Sequence, residues 1–290
     1  MFDYRTFTTR NIGFVTEAEQ EKLRQARAFV CGTGGMGGAA ILALARAGIG
    51  HLTICDIDSF EVSNLNRQVF SWLHTVDKHK AVATAEQLKK INPEMIVEVL
   101  QDEWTDEVER LVASADVVIN GTDDLGASLL LYRTARAQGK AVIDSYASPL
   151  PSVYVTRAGD PMPEERLAYP TRNVAWDAVT DAMQSEAFQA EAVYVMTHSA
   201  SAFHIDLELA GEVAAGKRSR MSFAPMVITS GTLMAYEAIA VLLGHTNKTD
   251  YRGWFFNPYR ARVERPRPAL IAAIFKPIVA RKLKQMMRAS

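Results

Sequence analysis

A glycine-rich turn between an apolar run and a helix limits the possible folds of this chain most strongly. The apolar run Ala28–Cys31 stops at Gly32-Thr33-Gly34-Gly35-Met36-Gly37, helical spacing follows over Ala39–Ala47, and a second apolar run covers His51–Cys55. This order predicts a βαβ unit with the glycines in its first turn. Because glycine has no side chain, the backbone N–H groups of such a turn can approach phosphate oxygens. We therefore predict a nucleotide site at Gly32, Gly34, Gly35 and Gly37, which fits a dinucleotide and other adenine nucleotides equally well.

The alternation of strands and helices continues beyond this unit. Further strands are predicted at Met95–Leu100, Val117–Ile119 and Ala141–Ile143, with helices at Lys78–Ile91, Asp106–Ala113 and Leu129–Ala137. The pattern predicts an α/β, Rossmann-like fold with a mostly parallel sheet and helices on both faces.

The pattern changes after Ser145, where prolines become frequent. Helices are expected at Asp177–Ala192 and Ile205–Ala215, and a basic loop follows. A long apolar helix, Pro225–Leu243, is expected to return to the core, and Gly253–Phe256 is expected to add a late strand. A C-terminal half with additional strands and a long helix thus extends the sheet.

Polar side chains follow the second predicted strand. Asp56 stands where a carboxylate accepts hydrogen bonds from ribose hydroxyls, and Asp58 lies two residues further on. The cluster Asn64-Leu65-Asn66-Arg67-Gln68 and the later Lys80 offer amides and two cations to a polyphosphate. A nicotinamide-binding domain has no need of such cations after its ribose carboxylate.

A carboxylate also follows the fourth predicted strand. Asp123 stands at the carboxyl edge of the sheet, where ligands of such folds bind. A carboxylate that faces a triphosphate is suited to hold Mg²⁺, which usually keeps several waters and bridges to phosphate. Asp124 adds a second negative charge, so the sequence leaves open which of the two aspartates serves the metal.

Composition bounds the partners. The 32 basic and 33 acidic residues nearly cancel, so no overall field favours DNA or a membrane surface. Cys31 and Cys55 are the two cysteines, and both are expected to be buried in neighbouring strands. The polar N-terminus and the interrupted apolar stretch Pro225–Gly244 favour a cytoplasmic protein without integral membrane association.

Several of these motifs together resemble the ThiF/MoeB/HesA family, the relatives of ubiquitin-activating enzymes. The resemblance rests on the glycine turn, Asp56-Ile57-Asp58, Ser63–Gln68, Lys80, Ile91-Asn92-Pro93 and Thr122-Asp123. It runs from about Arg10 to Gly244, with a gap over roughly 160–222. It implies a ThiF-type adenylation domain over 1–265, with a nucleotide-binding half at about 25–145, a divergent segment at about 146–222 and a returning helix and strand at 223–265. A basic amphipathic tail covers 266–290.

The resemblance also implies a reaction and a set of roles. Such enzymes bind ATP and Mg²⁺ and adenylate a carboxylate, often the C-terminus of a ubiquitin-like sulfur carrier protein, or of a peptide. Arg10 lies where the family places an arginine that reaches the ATP of the partner subunit, which implies a homodimer. By the same resemblance Asp56 holds the ribose, Asp123 is linked to Mg²⁺, and the phosphates are gripped by Asn64, Arg67 and Lys80.

The chain departs from the family in its cysteines. No cysteine follows Cys55, so the chain lacks the crossover-loop cysteine of members that form a thioester or persulfide. The two zinc-binding Cys-x-x-Cys pairs of many members are also absent, so no structural zinc is expected. The step after adenylation therefore stays open.

Alternatives remain at this point. A tRNA threonylcarbamoyladenosine dehydratase-like enzyme, an NAD-binding oxidoreductase and an inactive nucleotide-binding scaffold all fit parts of the pattern. Among individual residues, His198 and His204 are expected to be structural, and Trp104 either borders the adenine or packs in the core. The basic loop of Lys217, Arg218 and Arg220 is expected to be solvated, and Pro277 is expected to interrupt a tail helix that docks on the body of the protein.

Overall fold

The computed structural model describes residues 1–214, 216–246 and 248–289. Within these ranges the strands form one eight-stranded sheet in the order β3-β2-β1-β4-β5-β6-β7-β8. Strands β1 to β5 pair in parallel, and β6 to β8 add to the edge in antiparallel pairs. This confirms the predicted α/β fold. The strands are β1 Arg27–Cys31, β2 His51–Cys55, β3 Ile96–Leu100, β4 Val117–Asn120, β5 Val142–Asp144, β6 Ser152–Thr156, β7 Trp254–Asn257 and β8 Arg262–Glu264.

Helices cover both faces of the sheet, as predicted. Along β1 the side chains of Ala28 and Val30 join the cluster packed by α3, α4 and α10, while Phe29 and Cys31 join the cluster packed by α5 and α6. Both cysteines are buried and free, which confirms that expectation. The helices are α1 Tyr4–Thr8, α2 Glu17–Gln25, α3 Gly35–Ala47, α4 Lys80–Ile91, α5 Trp104–Ser114, α6 Leu125–Ala137, α7 Pro163–Arg166, α8 Asp181–His198, α9 Leu207–Ala214, α10 Ala224–Leu243 and α11 Ala269–Ala289.

Helix α10 is the long apolar helix, and it returns to the core as expected. Among the described residues it is the helix that is long and apolar enough to cross a membrane. Its Gly231 lies against α3 so closely that an added Cβ would come within 2.6 Å of the Ala39 Cβ. This contact and the buried Met234 and Ala238 identify it as a core helix of the domain.

Two α6 arginines hold the start of the divergent segment. Arg133 donates to both carboxylate oxygens of Glu164 at 3.0 and 2.8 Å, and Arg136 donates to both oxygens of Glu165 at 2.8 Å. Glu164 is buried and Arg133 also donates to the Thr171 carbonyl. These bidentate contacts fix the chain that leads into α8.

The tail corrects one expectation. Pro277 does not interrupt the tail helix, because α11 runs through it from Ala269 to Ala289. Ala272 and Leu283 are buried on either side of the proline, and the helix packs against α8 and α9. These contacts on both sides of Pro277 hold the two halves of the helix against the body, although proline removes one backbone hydrogen bond. Docking of the tail on the body is confirmed, while Ala215, Ser290 and the side chains of Lys284 and residues 286–289 lie outside the described part.

Candidate nucleotide-binding site

The predicted site residues gather at the carboxyl ends of β1, β2 and β4. The strand order reverses between β1 and β4, and ligands of open α/β sheets bind at such a switch point. The turn after β1 meets the turn after β4 there, since the Gly121 N–H donates to the Cys31 carbonyl at 2.6 Å.

Two glycines of the turn are required by its geometry. Gly32 has φ +91°, and an added Cβ would lie 2.5 Å from the carbonyl carbon of Gly121. At Gly37 an added Cβ would collide with the carbonyl oxygen of Gly32. At Gly34 the nearest group is the Gln68 amide nitrogen at 3.7 Å, so a side chain would fit. The glycines therefore let β1, β4 and α3 approach closely.

The N-terminus of α3 is suited to an anion. Its N-cap residue is Gly34, which has no side chain with which to cap the helix, so the first N–H groups of α3 are available to a phosphate. Gln68 lies beside Gly34, and its buried amide oxygen has no hydrogen-bond partner among the described residues. The uncapped N–H groups fit the phosphates of a nucleotide.

Asp56 organises the glycine turn from the end of β2. Its Oδ2 accepts from the Thr33 N–H at 2.8 Å and from the Thr33 hydroxyl at 3.0 Å, and its Oδ1 accepts from the Asp58 N–H at 3.0 Å. A carboxylate has about four acceptor directions. Asp56 can therefore keep these bonds and still accept from a ribose hydroxyl, so its role as ribose ligand stays a prediction.

Lys80 and Asp58 form a pair that sequence reasoning did not foresee. The Lys80 ammonium lies 2.7 Å from Asp58 Oδ2, and the Lys80 N–H donates to the Asp58 carbonyl at 2.8 Å. Lys80 is buried while Asp58 is exposed. Asp58 thus holds the ammonium at the start of α4, and phosphate binding by Lys80 stays a prediction.

The Asn64–Gln68 loop is held by its own polar groups. Asn64 is buried, and its amide oxygen accepts from the Glu61 N–H at 3.1 Å. The Arg67 Nη1 donates to the Ser63 carbonyl and to the Asn66 amide oxygen, both at 2.9 Å. Both bonds leave from Nη1, so the Nε and Nη2 donors can still serve an anion. Asn64 therefore shapes the loop, and Arg67 keeps donors for a phosphate.

The structure separates the two aspartates after β4. Asp124 is the N-cap of α6, because its Oδ1 accepts from the Ala127 N–H at 2.7 Å. The Asp123 side chain is 85% exposed and pairs with Arg220, whose Nη1 lies 3.3 Å from its Oδ2. The Asp123 carboxylate is therefore the one of the pair with no helix N–H to cap, and its link to Mg²⁺ stays a prediction. No group of three metal-ligating side chains occurs among the described residues, so a metal here would depend on phosphate ligands.

Sequence reasoning missed a buried polar network beside the site. The Asn120 amide and the Tyr132 hydroxyl donate to Asp144 Oδ2 at 3.1 and 2.9 Å. Burial raises the pKa of Asp144, and these two bonds oppose the shift. Burial also raises the pKa of Glu191 in α8 to about 7, while the Tyr169 hydroxyl donates to it. The signal in the sequence was the polar residue that ends each of two apolar strands, Asn120 in β4 and Asp144 in β5.

Arg10 lies away from the site of its own chain. Its neighbour Asn11 donates to the carbonyl of Ala47, the last residue of α3. The glycine turn is at the other end of this 13-residue helix, about 20 Å away. Arg10 therefore cannot complete the site of its own chain, and its predicted role requires a second subunit.

The remaining candidates pack as structural residues. Trp104 is buried, with its ring centroid 6.3 Å from that of Phe29, so it packs in the core. His198 packs on Tyr194 and His204 stacks on Tyr259, with centroids 4.4 and 4.3 Å apart. Burial first, and then the nearby Arg166 charge, lower the pKa of His198 to about 4.

Comparison with known proteins agrees with this geometry. The ThiF family profile matches residues 8–271. The chain belongs to the ThiF family. The match confirms the resemblance and includes the divergent segment.

Individual relatives match over shorter stretches. A tRNA threonylcarbamoyladenosine dehydratase from Haemophilus influenzae is 40% identical over 115 residues, which are 38% of this chain and 44% of that protein. The sulfur carrier protein ThiS adenylyltransferase of Escherichia coli is 36% identical over 107 residues, which are 37% of this chain and 43% of that protein. The matches thus span less than half of these relatives.

A solved structure extends the likeness over most of the chain. The E. coli tRNA threonylcarbamoyladenosine dehydratase TcdA, in complex with ATP, aligns with a TM-score of 0.57 at 22% identity. The alignment covers 83% of this chain and 95% of that one. At this identity the alignment establishes a shared fold.

Proposed function

We propose that this protein is an ATP-dependent adenylyltransferase that activates a carboxylate, namely the C-terminus of a ubiquitin-like sulfur carrier protein or of a peptide. The observation that carries the proposal is the convergence of an uncapped helix N-terminus, Arg67 and the exposed Asp123 on one sheet edge. The ThiS adenylyltransferase among its relatives and the ATP complex of TcdA support it.

The chemistry needs cations and positioning. A carboxylate oxygen attacks the α-phosphorus, the bond from that phosphorus to the bridging oxygen breaks, and pyrophosphate leaves. The nucleophile is already ionised, so no general base is required. Negative charge grows on the phosphoryl oxygens, and Arg67, Lys80 and the α3 N–H groups can stabilise it.

Mg²⁺ belongs to the proposal as a partner of the nucleotide. Bound to the phosphates, it would neutralise charge on the oxygens of the leaving group. Asp123 would hold it, because Asp124 already caps α6.

The homodimer is also proposed, because Arg10 lies a helix length from the site of its own chain. The Arg10→Ala variant and the Arg67→Ala variant are each expected to be inactive when assayed separately. In a hybrid dimer, one site would combine the native Arg67 of one subunit with the native Arg10 of the other. Random mixing should restore roughly one quarter of wild-type activity. No recovery in verified hybrid dimers would exclude a role for Arg10 across the interface.

The reaction is tested by ATP–pyrophosphate exchange with candidate carriers and peptides. Exchange should require a free C-terminal carboxylate, and Arg67→Ala should reduce it at least tenfold. Arg46, on α3, serves as the matched control, and Arg46→Ala should leave exchange unchanged. Three results together would refute adenylation. They are tight NAD binding, no exchange with any candidate, and NAD binding that Arg67→Ala leaves unchanged. ATP binding without exchange would instead favour a nucleotide-binding scaffold.

A second candidate is a threonylcarbamoyladenosine dehydratase-like enzyme, favoured by the 40% identity to such an enzyme. The net charge of −1 does not favour tRNA binding. Incubation with ATP and tRNA that carries threonylcarbamoyladenosine, followed by nucleoside mass spectrometry, separates the two. Loss of water from that nucleoside would select the second candidate.

A further inference from the structure

The segment between α9 and α10 lies across the carboxyl edge of the sheet. The Arg220 guanidinium pairs with Asp123 after β4, and the Asn66 amide donates to the Ser222 carbonyl at 3.2 Å in the loop after β2. Two contacts over 97 and 156 residues of sequence thus fix this segment at the nucleotide site. Lys217, Arg218 and Arg220 are exposed, as the sequence predicts for this loop, and Arg220 in addition pairs with Asp123.

A cavity of about 310 Å³ opens beside Arg220, between α8 and this segment. This cavity is open to solvent along one side, so a bound chain would stay partly exposed there. The guanidinium carbon of Arg220 lies 4.7 Å from the centroid of the Phe188 ring. Arg220 is thus held at one end of the cavity, between an aromatic face and the Asp123 carboxylate.

The α8 wall of the cavity is polar and of defined length. Asp181, Gln184, Ser185 and Phe188 line it. Their spacing of 3, 4 and 7 residues from Asp181 puts them on one helix face, about 10 Å from end to end. An extended chain rises about 3.3 Å per residue, so about three peptide residues match this length. The backbone N–H groups of such a peptide would face the carboxylate, amide and hydroxyl oxygens of the wall.

Arg220 is the cation of this cavity that can change partner. The other lining arginine, Arg218, pairs with Glu212 at 2.7 Å. The Arg220 pair includes an 85% exposed carboxylate, and ion pairs in solvent are weak. When Asp123 binds a divalent cation, its carboxylate no longer pairs with Arg220, and the cation repels the Arg220 guanidinium. A peptide carboxylate is then a suitable bidentate acceptor.

We propose that Arg220 anchors the C-terminal carboxylate of a peptide substrate, and that its ion pair with Asp123 keeps this anchor closed until the Mg²⁺ nucleotide binds. The inference rests on the proposed function and adds a binding order to it: nucleotide first, carboxylate second. Arg220 touches the substrate carboxylate at the reacting end, and the α8 wall holds the preceding residues.

The ion-pair exchange is tested without catalysis, by calorimetric titration of ATP at a series of Mg²⁺ concentrations. Arg220→Ala should lower the Mg²⁺ concentration for half-maximal ATP affinity about threefold to fivefold, because Asp123 loses its competing partner. In an Asp123→Asn background, where Mg²⁺ no longer raises the ATP affinity, Arg220→Ala should leave that affinity unchanged at every Mg²⁺ concentration, and Lys217→Ala in the same loop should match wild type. An unchanged midpoint would overturn the exchange. A tenfold loss of ATP affinity without Mg²⁺ would make Arg220 a phosphate ligand instead.

The anchor is tested by pyrophosphate exchange at saturating Mg²⁺. The probe is a synthetic peptide with the last ten residues of the substrate that supports exchange. Arg220→Ala should raise the peptide KM at least tenfold and leave the ATP KM within twofold, with Arg220→Lys in between. An unchanged peptide KM would overturn the anchor. If no carboxylate supports exchange, the adenylation proposal and the anchor fail together, while calorimetry still decides the ion-pair exchange.

Discussion

The neighbouring aspartates after β4 offer a sharp test, because the structure gives them unrelated tasks. Asp124→Ala removes the hydrogen bond from the Ala127 N–H to Oδ1, at 2.7 Å, and a charge at the N-terminus of α6. Loss of an N-cap costs about 1 kcal/mol, and loss of the charge at the helix dipole adds a few tenths or more. We expect about 1–2 kcal/mol of lost unfolding free energy, or roughly 2–3 °C in Tm for a chain of this length.

Asp123→Ala should behave in the opposite way. Its side chain is 85% exposed, and its ion pair with Arg220 is worth roughly 0–1 kcal/mol. Its unfolding free energy should therefore stay close to that of the wild type. Its loss should instead abolish the gain in ATP affinity that Mg²⁺ provides.

The assay combines urea unfolding with ATP calorimetry, with and without Mg²⁺, on both alanine variants and on Asp124→Asn. Asparagine caps helices about as well as aspartate, so Asp124→Asn should keep most of the stability. A loss of Mg²⁺ dependence in Asp124→Ala, together with a stability loss in Asp123→Ala, would refute the assignment of the two roles.

Three other predictions concern the turn, the divergent segment and pH. Gly37→Ala should lower the unfolding free energy by at least about 2 kcal/mol, because the new Cβ would collide with the turn. Gly34→Ala adds its Cβ in open space and should cost little. The urea unfolding midpoints of the two variants test this difference. Arg133→Ala leaves the buried Glu164 carboxylate without its bidentate partner, so the unfolding free energy should fall by about 3 kcal/mol. An unchanged urea midpoint would show that this pair does not hold the segment. The His198 pKa is lowered to about 4 in the folded state, so its contribution to stability is present above its unfolded pKa of 6.5 and is lost as pH falls towards 4. Between pH 7 and 5 the urea midpoint should therefore fall less in His198→Gln than in wild type, and equal slopes would contradict this.

Much of the fold could be predicted because burial repeats with a fixed period. The apolar pattern predicts strand β2 at its observed bounds and the α10 helix within one residue. Elements without a long apolar pattern were missed, among them α1, α2 and β8. The Thr16–Glu19 capping box was the available signal for α2. The predicted interruption at Pro277 is wrong, because local propensity is a weaker guide than packing on both sides of the residue.

The candidate site divides in the same way. The sequence alone determined a parallel sheet with a glycine turn at its switch point, and which polar residues follow each strand, because strand ends of a parallel sheet must share an edge. Which partner each polar side chain takes was decided only by the tertiary structure. The Asp124 carboxylate accepts from the α6 backbone, and the Lys80 ammonium pairs with Asp58. The Asp123 carboxylate pairs with Arg220, which lies 97 residues further along the chain. Side chains of the same type next to each other in the chain are equivalent in sequence, and only the directions of the surrounding N–H groups and charges in space distinguish them.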